Sequence, residues 1–547
     1  MILRSLLTVL ACGVLAAPAL AQEVHVHTSS VQVPLYDNLG THHYRVSSRV
    51  PQVQAYFDQG LRLYYAFNHA EAIRAFEHAA RLDPACAICH WGTALAYGPN
   101  INAPMDSASA VKAHGHAQRA LRLANRASPT ERELIRALAT RYTARPAADR
   151  AGLDSAYARA MGDLARRFPA DVEIQTLHAE ALMDLRPWRY WTRDGQPEPG
   201  TETILAGLER VIQRNPNHPG ACHFYIHAVE AVHPRRAVPC AERLAALMPG
   251  AGHLVHMPGH IYIRVGRYAD AIRANEHAAH ADEAYIRDQR PGVGTYTVGY
   301  TPHNHDFLAF AASMAGRRRQ AVDAAGAILP LVPREMLGAP GMEFTQHRLT
   351  RQLQVLARFG MWDEILAAPA PAEELVHARA IWHYARGRAL AARGDVAGAE
   401  AELAKVRAVA ASPATKDMKL EFSMARSVHA VAEHVLAGHI DAARGNHAGA
   451  AAHLRAAAQA EDSLVYGEPP EWHVPVRQEL GMVLLAAGQA ADAEAAFRQD
   501  LERFPANGWS LHGLARAQRA QGREADAART EAELRTAWQG ADFALPR

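Results

Sequence analysis

Three histidines near the middle of the chain, His253, His256 and His260, stand at offsets of three and seven residues. At about 100° per residue on a helix, those offsets put all three imidazoles on one face. Upstream, His223 and His227 stand one helical turn apart, as do His256 and His260. Neutral imidazoles four residues apart can chelate one transition-metal ion, and two such helices in neighbouring hairpins supply four nitrogens. Glu230 follows His227 by three residues on nearly the same face, where a carboxylate can be an oxygen ligand, a hydrogen-bond partner of a ligand, or a general base. Tyr300-Thr301-Pro302-His303-Asn304-His305 leads into the next hairpin and can present His303 and His305 to the same cavity. The expectation is one zinc or copper ion held by His223, His227, His256 and His260, with Glu230, His253, His303 and His305 near it. Histidine also serves as a polar filler between helices, and that is the plainer reading for any single one of the 31 in this chain. His277 and His280 belong to the second helix of their hairpin and are expected to face outward.

A second chemical signature is Cys86-Ala87-Ile88-Cys89-His90, the spacing of a c-type haem attachment site. Its setting argues against haem. Trp91, Gly92 and Leu95 place it on the first helix of a repeat, where the tryptophan packs against the next hairpin and leaves no room for a porphyrin. A redox-active or metal-binding dithiol and an inert structural pair are the other readings. Cys222 and Cys240 complete the set, and four cysteines allow three pairings. Nearest-neighbour pairing is the simplest, although a bridge between residues three apart on a helix is strained. Gly-x-Ser-x-Gly, the phosphate-cradling Gly-x-x-x-x-Gly-Lys and His-Glu-x-x-His are all missing, so the common hydrolase and nucleotide sites are not indicated.

The elements that must position these residues are helical hairpins. Tyr56, Gly60, Leu63, Ala72, Phe76, Ala79 and Pro84 fall on the pattern of a 34-residue tetratricopeptide (TPR) unit, and Trp91, Gly92 and Leu95 open the next. Inter-helix glycines at Gly266, Gly316, Gly360, Gly394, Gly445, Gly488 and Gly522 mark further units. Small side chains at these spacings let two antiparallel helices approach closely. The predicted fold is all-α: a right-handed TPR-type superhelix with inserted loops, the first helices of successive units lining its concave side. Residues 98–104, 186–200 and 466–473 are the main insertions, and such loops fold back over the concave face. The chain divides into a signal peptide at 1–21, an irregular arm at 22–51, TPR-like repeats at 52–200, a His-rich TPR-like region at 201–345 and C-terminal repeats at 346–547.

Composition narrows the partners. A hydrophobic content of 49% with only 7% aromatic residues describes helices packed through alanine. A formal net charge of +2 gives no reason to expect nucleic acid. Arg4, the apolar run from Leu6 to Leu15 and Ala19-Leu20-Ala21 read as a cleavable secretory signal with cleavage after Ala21, too short to span a bilayer. Export, to the periplasm in a bacterium, and no membrane insertion are expected.

Phe57-Asp58-Gln59-Gly60-Leu61, Phe67-Asn68-His69-Ala70-Glu71-Ala72, His90-Trp91-Gly92, Gly98-Pro99-Asn100-Ile101-Asn102 and His256-Met257-Pro258-Gly259-His260-Ile261-Tyr262 together resemble a group of exported bacterial TPR proteins. The resemblance covers most of the mature chain and implies fold and export, not an activity. That group carries Cys-x-x-Cys-Tyr-Trp-Gly where this chain has His90 in place of the tyrosine. The reading favoured at this level is an exported scaffold whose concave groove binds a protein, a peptide or a transition metal through its His-rich face. A metal-dependent periplasmic enzyme using Glu230 is the alternative, and a c-type haem protein through Cys86, Cys89 and His90 the third.

Overall fold

The computed structural model describes residues 33–546 apart from 148 and 340. The signal segment and the first part of the arm lie outside these residues. Antiparallel helices follow one another from Pro51–Tyr65 to Glu524–Ala537, and among the described residues there is no strand, only isolated bridges in loops. The protein is an all-α, TPR-type superhelix.

The repeat signals in the sequence do the local work expected of them. All seven inter-helix glycines adopt left-handed backbone, with φ between 68° and 80°, a region in which a Cβ is costly. Asp395, Asn446 and Asn507 open the helices that follow them, each accepting a backbone N–H three residues on at 2.9–3.1 Å. Gly60 and Gly92 face Phe76, and a Cβ on either would lie 2.7 or 2.6 Å from its ring. Gly481 and Gly513 flank Phe497 in the same way. One aromatic clamped between two glycines thus joins consecutive hairpins at both ends of the molecule.

The superhelix also closes on itself, and this changes where the histidine face lies. Trp509 Nε1 donates to the Ser313 carbonyl at 2.9 Å, and Arg351 Nη1 to that of Glu471 at 2.7 Å. Gly266 sits so close to Pro505 that a Cβ there would be 2.6 Å from its carbonyl oxygen. The arm from residue 33 to 50 has no helix but is tied down: Tyr56 donates to the Val33 carbonyl at 2.8 Å, and Arg62 Nε to that of His42 at 2.7 Å. No described helix is long and apolar enough to cross a membrane.

Candidate metal centre

His223 and His227 project from Pro219–Val229, and Glu230 caps that helix. His253 and His256 lie on Gly252–His256 and His260 on Pro258–Arg264, the break falling at Pro258, which has no N–H to continue the ladder. His303 stands on Thr301–Met314. These helices bring six imidazoles together as two trios, His223 with His227 and His253, and His256 with His260 and His303. Within each trio one nitrogen per ring lies within 4.8 Å of the others. The single four-histidine site expected from spacing is therefore corrected: the one-turn pairs fall in different trios, and His253, on the same helix as His256, joins the upstream pair.

Four of the six rings are oriented by what the far nitrogen touches. His223 Nδ1 is 2.7 Å from the Tyr65 carbonyl, and His256 Nδ1 is 2.7 Å from Asn275 Oδ1. The Asn275 amide nitrogen donates to the Ala271 carbonyl, which fixes its oxygen toward His256. His227 Nδ1 and His260 Nδ1 lie 3.1 and 2.5 Å from the two oxygens of Glu230. All four partners are acceptors, so Nδ1 carries the proton in each ring and Nε2 carries a lone pair. Those lone pairs meet. His256 Nε2 is 2.8 Å from His260 Nε2, and His227 Nε2 is buried without any partner; His223 Nε2 has His253 Nε2 at 3.1 Å, and His253, whose Nδ1 touches no acceptor, can donate to it.

Two facing lone pairs repel unless a cation lies between them. A proton does not serve at neutral pH, because burial holds these rings uncharged. Burial first and neighbouring imidazoles second push His223, His253, His256 and His303 well below the ordinary 6.5, and burial pushes His260 down to about 3. A metal ion serves well. Ligands about 2.0–2.1 Å from one ion sit about 2.8–3.4 Å apart at angles between a right angle and the tetrahedral value. The pattern of Nε2 toward the ion and Nδ1–H toward a carbonyl or carboxylate is the one that ligating histidines show.

The same test separates other histidines from this cluster. His218 Nδ1 accepts the Ala221 N–H at 3.1 Å, so its Nε2–H points at Glu173, 3.2 Å away, in a group that His42 also joins. In that trio the Glu173 carboxylate is the shared partner, 2.8 Å from His42 Nε2 and 3.2 Å from His218 Nε2, so these nitrogens face an anion and not one another. His347, His377 and His429 form a line, each ring nitrogen 3.0 Å from the next, rather than a pocket. His305 is corrected as a member of the centre: two residues from His303, it turns about 200° away and lines a surface depression with Glu276 and Arg319. His277 and His280 are exposed, as expected from their position.

The open groove expected around the centre is also corrected, because five of the six imidazoles are buried and His303 is only partly exposed. His223, His227, His253, His256 and His260 are 0–3% exposed. Phe67 lies 4.5 Å, ring to ring, from His223, and Phe307 lies 4.5 Å from both His256 and His260. Trp188, from the 186–200 loop, caps His227 at 5.0 Å and donates to Asn102 of the 98–104 loop at 3.0 Å. Phe67 and Trp188 both hold positive φ, 54° and 64°. Such backbone costs about 1–3 kcal/mol per residue and gathers at functional sites. Spacing gave no sign of Tyr65, Phe67, Trp188 or Asn275, which reach the cluster from distant parts of the chain.

Glu230 has both oxygens engaged by imidazole Nδ1 atoms, the arrangement of a carboxylate that orients its neighbours, and with His227 and His260 it also forms a close group of three. Cys86 and Cys89 are bonded to each other, and Cys222 to Cys240. Cys86 precedes its helix as N-cap, with Cα atoms 5.4 Å apart, which removes the strain expected of a bridge inside a helix. That pairing leaves neither thiol for a thioether, and His90 Nε2 accepts from Arg119 Nε at 3.0 Å. The second bridge ties the helix of His223 to Val238–Leu247.

No protein-family model and no curated protein matches this sequence. Solved structures with a similar arrangement include the human IFIT1 dimer with m7Gppp-AAAA, at 12% identity and TM-score 0.32 over 90% of this chain and 91% of that one. Yeast Tom70 is another, at 10% identity and TM-score 0.30 over 90% and 93%. Likeness at TM-scores this low says nothing of what this chain binds.

Proposed function

We propose that this protein is an exported metalloprotein in which a helical repeat scaffold encloses a transition-metal centre of copper or zinc. The observation that carries the reading is the opposed Nε2 contact of His256 and His260, at 2.8 Å, in two rings whose Nδ1 atoms are both held by acceptors. A packing role would let such rings hydrogen-bond; His256 and His260 face each other with lone pairs. The two disulfides support an oxidising compartment. Burial of the cluster favours a metal over a peptide or protein as what the histidines hold.

The test is the metal content and melting temperature of the parent, of His256→Ala with His260→Ala, and of His277→Ala with His280→Ala. The parent and the second double should retain metal through desalting. They should also gain about 2.7 kcal/mol of stability at a hundredfold excess over the dissociation constant. The first double should lose most of both. Equal metal content in all three would show the cluster to be core packing.

A further inference from the structure

The two trios suggest a count and a ligand. Resting on the reading of the cluster as a metal centre, we propose that it is dinuclear: one ion in His223, His227 and His253, a second in His256, His260 and His303, with a small oxygen ligand bridging them. The geometry for two pockets is explicit, since each trio brings one nitrogen per ring within 4.8 Å of the others, with Nε2 atoms 3.1 Å apart in one and 2.8 Å apart in the other. The pockets adjoin, with the His227 and His260 rings 5.3 Å apart, centre to centre. Glu230 lies between them and accepts the Nδ1–H of one ring from each, His227 and His260. One carboxylate orienting a ligand of each pocket ties the two into one unit.

The donor count sets what else binds. Three neutral imidazoles leave each ion short of four ligands, the state of reactive rather than structural sites. Glu230 cannot fill the vacancy while both its oxygens hold imidazole protons. Phe67, Trp188 and Phe307 wall the cluster, so the remaining ligand is small. An all-imidazole set selects against calcium and magnesium and, in the divalent series, holds copper most tightly.

The bridging oxygen has two possible sources. With two copper(II) ions it is hydroxide, formed from a water that releases one proton to the buffer. With two copper(I) ions it is dioxygen, which takes one electron from each copper, leaving two copper(II) ions and a peroxide-level bridge with no atom lost or gained.

Copper alone is the probe. The full chain is loaded under nitrogen with copper(II) in one arm. In the other it is loaded with copper(I) and then exposed to dioxygen; elemental analysis and spin-counted electron paramagnetic resonance follow in both. Two coppers per chain are expected, with a spin count well below the copper content because a bridge couples the two spins. Coupling before air in the first arm identifies hydroxide; a new near-ultraviolet charge-transfer band on admitting dioxygen in the second identifies dioxygen. His223→Ala with His253→Ala should leave one copper with full spin count, as should His256→Ala with His260→Ala, each checked for helicity. One copper per parent chain, or two with full spin count, overturns the dinuclear proposal while the metal centre stands. Copper content that neither double lowers overturns the metal reading itself.

Discussion

Glu230 receives an imidazole N–H on each of its two oxygens, from His227 and His260, and so holds both rings with Nε2 bare. A carboxamide cannot do this, since one of its arms is a donor. Glu230→Gln should leave the fold intact and weaken metal binding by about 10–100-fold, because one ring must turn or change tautomer. Competition with a chromophoric chelator measures this, and an unchanged affinity would deny Glu230 its orienting role. Six of the seven histidines named from the sequence are in the cluster, five of them because offsets of three, four and seven on a helix fix a shared face, and His303 because its helix packs beside them. His305 is not, because an offset of two sends it to the other side. Asn275 and the Tyr65 carbonyl could not be read in advance: they reach the rings through tertiary packing, which no local period records.

Elements carry the precision of the site. The helix of His253 and His256 leads almost directly into the helix of His260, and His256 and His260 share a pocket across the break at Pro258. Hairpin packing is what holds such helices in place, and it rests on contacts without slack. Gly92→Ala would drive a Cβ to 2.6 Å from the Phe76 ring, which is fully buried. Overpacking of this kind costs about 1–3 kcal/mol, so thermal or urea unfolding should show a loss in that range. A loss near zero would mean that Phe76 can move and that the glycine is not required. The repeat itself was legible because TPR glycines, alanines and aromatics follow a fixed period. Closure of the coil was not, since it depends on pairs such as Trp509 with Ser313 and Trp188 with Asn102 that are remote in sequence.

At the scale of the whole molecule, buried neutral histidines make stability depend on pH apart from any metal. His347 and His377 are pushed well below 6.5, and His429 to about 4, burial being the first cause in each. A histidine with a depressed folded-state pKa binds its proton more readily when unfolded. Its contribution is therefore full above about pH 6.5 and is lost as pH falls toward the folded value. His429 alone should cost on the order of 3 kcal/mol between pH 6.5 and 4. His429→Gln should flatten the dependence of melting temperature on pH over that window, and an unaltered slope would show that His429 is charged in the folded protein.

Everything above the level of the fold depends on one proposal, that the buried histidines hold a metal through Nε2. X-ray absorption at the metal edge, on protein loaded with copper or zinc and then desalted, tests it most directly. The account predicts a first shell of nitrogen at about 2.0–2.1 Å, with the outer-shell scattering of imidazole rings and no sulfur. A shell of oxygen alone, a sulfur contribution, or no metal surviving desalting would contradict it.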